Sequence, residues 1–272
     1  MTAVTITHPA ALAALQQDNP VTEVFHDAWS VAKRNLIGLV RTPTTVMFST
    51  IQPIIFVLMF RYVFGGAINI PGVRYVDFLM AGIFVQTVTF GAMNTGVGLA
   101  TDLQTGIIER FRSLPMARSA VLAGRTIADL VRNLFVVALM VGMGFLVGFR
   151  VHTGVVPFAL AIVLLLAFGV ALSWVMALIG LRTGNAEAAQ AAAFPLMAPL
   201  VFASSAFVST RSMPGWLQAY ANHQPVTATI NAVRALTIGG PTASKVLVAL
   251  AWMVGITAVF AYLAVNRYRR SA

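Results

Sequence analysis

Apolar positions along the chain gather into six long, charge-poor stretches separated by short polar segments. The first runs about 44–64 and meets no charge until Arg61; the second covers about 78–101. The third ends at Phe149 after a charge-free run from Asn133, and the others are 154–181, 188–210 and 246–266. At about 1.5 Å per helical residue, each reaches the roughly 30 Å of a bilayer core. No ten-residue apolar alternation of a membrane barrel is present. Because lipid leaves every backbone group to be satisfied within the segment, the pattern predicts an all-α integral membrane protein with six transmembrane helices.

The segments between the spans carry patterns of their own. In 21–40, Phe25, Trp29, Ala32, Leu36 and Val40 recur at near-helical spacing, while His26, Asp27, Lys33 and Arg34 fall largely elsewhere. The pattern predicts an amphipathic helix, either lying in the membrane interface or packed on the bundle. Thr42-Pro43 ends it, so the chain divides into an N-terminal segment, 1–43, and a six-span domain, 44–272. Between spans two and three, the spacing puts Ile107, Phe111 and Leu114 on one side of an expected short helix that Pro115 ends or bends, among Glu109, Arg110, Arg112 and Arg118. Such a piece either docks in a groove of a partner or packs on the membrane surface. Before span six, a helix beginning near Pro214-Gly215 is broken at Asn222-His223-Gln224-Pro225. A second, 226–238, stops at Gly239-Gly240-Pro241. Two readings stand for this pair: a re-entrant hairpin and a surface loop helix.

Composition agrees with the span pattern. The 272 residues are 58% hydrophobic and 10% charged, far from a soluble domain. The net charge of +10 is scattered between apolar runs, not collected on one nucleic-acid-binding face. With the N-terminus inside, Lys33, Arg34, Arg41, Arg110, Arg112, Arg118, Arg125, Arg182, Arg267, Arg269 and Arg270 are cytoplasmic. Only Arg61, Arg74, Arg150, Arg211, Arg234 and Lys245 are external. The excess predicts both termini in the cytoplasm. Residues 1–20 lack the basic start and apolar core of a signal peptide, so the first spans are expected to direct insertion.

Candidate chemistry is sparse. There are no cysteines, and neither Lys33 nor Lys245 follows a glycine, so the P-loop pattern is missing. Zincin and Gly-x-Ser-x-Gly patterns are missing as well, no catalytic or metal-ligating set emerges, and no cofactor is expected in this chain. Gln52-Pro53 puts an amide in span one, to bridge helices or line a polar path. Arg125, Asp129 and Arg132 share one helix face, as a structural ion pair plus one charge or as a functional set. Glycines at 82, 91, 96 and 98 permit close helix approach, and Glu187 is expected to cap a helix or pair with a cation. His223 is a loop histidine or a pH-sensitive group. An embedded enzyme would need a set such as His223 beside Asp77; a passive channel or structural subunit would need no docking helix.

The run Asp102-Leu103-Gln104-Thr105-Gly106-Ile107-Ile108-Glu109-Arg110-Phe111-Arg112-Ser113-Leu114-Pro115-Met116-Ala117-Arg118-Ser119 resembles the signature of type-2 ABC exporter permeases. It is most similar to the daunorubicin-resistance subfamily, as are His223-Gln224-Pro225-Val226 and Ala232-Val233-Arg234-Ala235-Leu236 before Gly239-Gly240-Pro241. The resemblance implies a connecting helix before span one, a coupling helix between spans two and three, and external re-entrant helices before span six. It implies a permease of the bacterial plasma membrane exporting a hydrophobic or amphiphilic drug, antibiotic or lipid. Two permeases, identical or related, would pair and carry two separate ATPase subunits that bind ATP and Mg. Gly106, Ile107, Glu109, Arg110, Phe111, Arg112 and Leu114 would couple to the ATPase. A path at the permease–permease interface would draw on Gln52, Phe56, Met93, Asn94, Phe202 and Ser205, where methionine and aromatic groups make an adaptable apolar surface.

Overall fold

The computed structural model describes residues 43–68, 70–106 and 118–270, with side chains for 51–68, 70–106 and 129–268. The expected amphipathic helix at 21–40 and residues 107–117 of the coupling segment lie outside the described residues. The elements are α1 (Pro43–Leu58), continued by a π-helical turn (Met59–Val63), α2 (Tyr75–Gln104), α3 (Arg118–Leu146), α4 (Val155–Thr183) and α5 (Ala186–Phe202). After a 3-10 turn at Thr210–Ser212 come α6 (Gly215–Asn222), α7 (Pro225–Thr237) and α8 (Thr242–Arg270). There is no strand among the described residues. By length and composition, four helices can cross a membrane: 75–104, 129–146, 155–183 and 242–268. Two shorter apolar helices, Ile51–Val63 and Ala186–Phe202, accompany them.

Helix α2 is the axis of the bundle and is buried along most of its length, with Leu79, Ile83, Phe84 and Val85 inaccessible or nearly so. Its polar positions are satisfied locally: the hydroxyls of Thr87 and Thr89 donate to the carbonyls of Ile83 and Val85, each at 2.7 Å. Its glycines mark backbone crossings. A Cβ on Gly96 would come within 2.6 Å of the Met176 carbonyl oxygen, and one on Gly180 of α4 would overlap the Gly96 carbonyl. A Cβ on Gly82 would likewise sit on the Ala206 carbonyl. These contacts let α2 meet α4 and the chain beyond α5 at the closest range helices allow.

Charges at depth are tied into the frame. Arg132 lies 3.2 Å from Asp129 and donates to the Gly91 carbonyl at 2.7 Å. Thr95 donates to Asp129 and lies 3.2 Å from the Ser173 hydroxyl, joining α2, α3 and α4. The structural reading therefore holds for Asp129 and Arg132, while the Arg125 side chain is outside the described residues. Between α4 and α5, Gly184 adopts φ +62 and closes α4 through its N–H to Gly180 O. The side chain that caps α5 is Asn185, which accepts from the N–H groups of Glu187 and Ala188. Glu187 itself stands exposed in the first turn, where its charge favours the helix N-terminus.

Two boundaries differ from the apolar pattern. Helix α5 ends at Phe202, short of the Thr210 that hydropathy predicts, because neighbouring side chains take over the next acceptors. Gln224 Nε2 donates to the carbonyls of Leu200 (2.8 Å) and Ala203 (3.2 Å), and Arg234 captures those of Ser205 and Ala206. The apolar chain thus leaves the helix without leaving the core. The second difference is the π-helical turn at Met59–Val63, which hydropathy does not register.

Candidate functional site

The described residues concentrate distinctive side chains where α1, the end of α5 and α7 meet. Phe56 and Phe60 lie one turn apart and face Phe202 at the end of α5 and Phe207 in the turn after it. The Phe60 and Phe207 rings stack at 4.4 Å and 15°, and Phe56 lies 6.2 Å from Phe202 and 6.1 Å from Phe207. Phe202 and Phe207 are 5.8 Å apart, closing a four-ring patch. Phe202 remains 47% exposed, so the patch presents an apolar aromatic surface rather than a sealed core.

The turn that holds Phe207 is fixed from behind. Tyr75 donates its hydroxyl to the Phe207 carbonyl at 3.1 Å. Arg234, buried on α7, donates to the Ser205 hydroxyl (3.1 Å) and to the carbonyls of Ser205 (2.5 Å), Ala206 (3.3 Å) and Phe78 (3.1 Å). Its guanidinium also lies 3.4 Å from the centre of the Phe78 ring. A planar fork meets several convergent acceptors in fixed directions, a geometry that a lysine ammonium does not reproduce. Helix α7, buried along nearly all its length, is therefore bound to the turn and to α2 through one side chain.

Of the path residues predicted from sequence, Phe56 and Phe202 come together in this patch. Gln52 is exposed one turn before Phe56. Ser205 is buried behind the patch, accepting from Arg234 and donating to Asn231 Oδ1 at 3.4 Å. Met93 and Asn94 are half-buried on α2, some 27 Å of helix away from Tyr75. Met93 packs on the main core and Asn94 donates to the Gly91 carbonyl at 3.2 Å. Of the coupling residues, Gly106 is described, in a left-handed turn (φ +67) after α2; Ile107, Glu109, Arg110, Phe111, Arg112 and Leu114 lie outside the described residues. Beside that turn, the Ala186 N–H donates to Gln104 Oε1 at 3.4 Å, linking the end of α2 to the start of α5.

Sequence reasoning missed Phe60, Phe207 and the role of Arg234. The spacing of Phe56, Phe60 and Phe64 was a signal for the first. Arg234 lies in the run Ala232-Val233-Arg234-Ala235-Leu236, where nothing local signals its partners. It also missed a polar cluster at the Tyr75 end of the bundle. Asp77, 1% exposed, receives Arg74 Nε (3.0 Å), the Arg150 N–H (2.9 Å) and His152 Nε2 (3.0 Å). His223 makes no ion pair with a carboxylate among the described residues: its Nδ1 meets the Ala219 carbonyl at 2.8 Å, one turn back. The cluster ties the α3–α4 loop to α2. No group of three or more metal-ligating side chains occurs among the described residues.

Comparison with known proteins places these features in a family. Residues 26–238 match the model of the ABC-2 type transporter family. The chain is 34% identical over 236 residues to a daunorubicin resistance ABC transporter permease protein, DrrB1, of Streptomyces coeruleorubidus, covering 87% of this chain and 83% of that one. It is 29% identical over 246 residues to a probable doxorubicin resistance ABC transporter permease protein, DrrC, of Mycobacterium tuberculosis, covering 88% and 87%. A putative transport permease, ycf38, of Porphyra purpurea is 29% identical over 220 residues, 78% of this chain and 74% of its own length.

Proposed function

The chain belongs to the ABC-2 type transporter family and is a membrane permease subunit, and on that premise we propose that it exports a hydrophobic or amphiphilic compound, drug, antibiotic or lipid. The observation that carries this reading is the likeness to drug-resistance permeases along most of both chains. Six spans cross the bacterial plasma membrane in this proposal: α1 with its π turn, α2, α3, α4, α5 and α8. The pair α6–α7 forms the external re-entrant hairpin, and both termini are cytoplasmic.

Two permease copies, or this chain and a related one, pair and carry two ATPase subunits that bind ATP and Mg. The region 106–118 docks on the ATPase, with Glu109, Arg110 and Arg112 making polar contacts and Ile107, Phe111 and Leu114 apolar ones. Closure of the ATPase pair moves this region and, through α2 and α3, the inner ends of the spans. The compound passes along the permease–permease interface, over Phe56 and Phe202 with Phe60 and Phe207 beside them. Gln52 flanks that surface, Met93 and Asn94 lie towards its cytoplasmic end, and Ser205 supports it from behind. Alternation requires the two conformations to bind the compound or the nucleotide with different affinity.

Purification of the tagged chain in mild detergent, with mass spectrometry of co-eluting proteins, tests the assembly. A stoichiometric ABC-type ATPase is expected, and a second permease in the eluate would identify a heteromeric pair. A chain that emerges alone from membranes whose other complexes stay intact would remove the exporter reading. In the assembled complex, Glu109→Arg is expected to abolish daunorubicin efflux from cells. Efflux that survives with ATPase assembly unchanged would refute the coupling assignment.

A further inference from the structure

On a face of α5 different from the one bearing Phe202, helices α4, α5 and α8 enclose an open groove of about 280 Å³. Its walls are apolar, formed by Val175 and Ile179 of α4, Met197 of α5, and Ile256 and Phe260 of α8. Pro225, at the start of α7, closes one end, and Arg182, in the last turn of α4, stands at the other. From Leu172 to Arg182 the groove follows α4 for about 15 Å, half of a bilayer core and therefore the depth of one leaflet. Arg182 is exposed and makes no ion pair among the described residues.

An apolar slot one leaflet deep, with a cation at its mouth that has no ion-pair partner among the described residues, fits a chain that carries an anionic head. We propose that this groove binds one acyl chain of an anionic phospholipid, with the phosphate on Arg182. The site lies in the leaflet around the C-terminal end of α4, the cytoplasmic one under the orientation proposed above, which is the only part of that reading it rests on. The charge separates this ligand from its competitors. A cationic amphiphile would meet a like charge, and a zwitterionic lipid keeps the apolar contact but brings no net charge to meet the guanidinium. A basic residue near an anionic lipid surface is worth about a factor of five in binding.

Trp252 lines the groove and supplies the readout. The full chain with Trp29, Trp174 and Trp216 replaced by Phe is reconstituted into vesicles containing brominated-chain phosphatidylglycerol or brominated-chain phosphatidylcholine. Half-maximal quenching of Trp252 is expected at an about fivefold lower mole fraction of the phosphatidylglycerol, and Arg182→Gln is expected to erase that difference. Equal quenching by the two headgroups, or a preference unchanged in Arg182→Gln, would overturn the proposal. Val175→Phe with Ile256→Phe, which fills the slot, is expected to reduce quenching by both lipids several-fold. Undiminished quenching would mean that Trp252 reports only surrounding lipid, and the site would be refuted. Neither an ATPase nor a transported compound enters the assay, so its failure leaves the export reading standing and is distinguishable from that reading's own.

Discussion

Arg234 spends its guanidinium on backbone carbonyls of two separate segments, Phe78 on α2 and Ser205-Ala206 after α5. No carboxylate is among these partners, so its worth lies in convergent charge-assisted hydrogen bonds. Arg234→Ala leaves several buried acceptors unpaired at about 1–3 kcal/mol each and is expected to lower stability by at least ~3 kcal/mol. Arg234→Lys is expected to recover only part of this, since an ammonium cannot reproduce the fork. Thermal unfolding of the purified chain in detergent checks both. Asp77 and His152 make an opposite comparison within one pair. Asp77→Ala strips a buried acceptor from the Arg150 N–H and is expected to cost about 1–3 kcal/mol, whereas His152, 46% exposed at its side chain, is expected to cost under ~1 kcal/mol when changed to Ala. The same melts, compared side by side, decide whether Asp77 is the centre of that cluster.

At the scale of elements, the crossing of α2 and α4 is made by glycines on both helices. Gly96→Ala and Gly180→Ala each force the backbones apart and are expected to cost about 1–3 kcal/mol. Gly142→Ala and Gly255→Ala, where an added methyl meets nothing within 4 Å, are expected to be neutral or slightly stabilising. Melting temperatures of the four variants would show whether space or helix propensity governs. The helices themselves were legible in the sequence, because charge-free length and breakers such as Asn222-His223-Gln224-Pro225 and Gly239-Gly240-Pro241 are local signals. The end of α5 was not. The residues from Ala203 to Val208 are as apolar as the helix before them, and what unwinds them is Gln224 and Arg234, more than twenty residues away. For the same reason the aromatic patch was read by halves. Phe56 and Phe202 are conspicuous within their spans, while Phe207 gains its place only through a turn that hydropathy cannot see. Ser205 is buried behind that patch, held by Arg234 and Asn231, a placement set by tertiary partners and not by its own neighbours.

The whole molecule carries its large apolar side chains outward as well as inward. Leu146, Val155, Leu160, Val163, Leu247 and Val254 are all more than half exposed, a perimeter that water would not tolerate but lipid tails match. Washing membranes at alkaline pH is therefore expected to leave the chain in the pellet, and only detergent to release it. Orientation is open to a direct test, since the chain has no cysteine to interfere. In intact cells, a cysteine at Asn222 is expected to react with a membrane-impermeant maleimide, and one at Glu187 to be protected until the cells are opened. The reverse pattern would invert the proposed topology. The paired glycines also bear on how such a molecule moves. Where two backbones touch, neither helix can slide along the other without one peptide unit riding over the next, but each can pivot about the contact. At the Gly96–Gly180 crossing, then, sliding is the motion most opposed, and the height of α2 against α4 is fixed there to within one peptide unit.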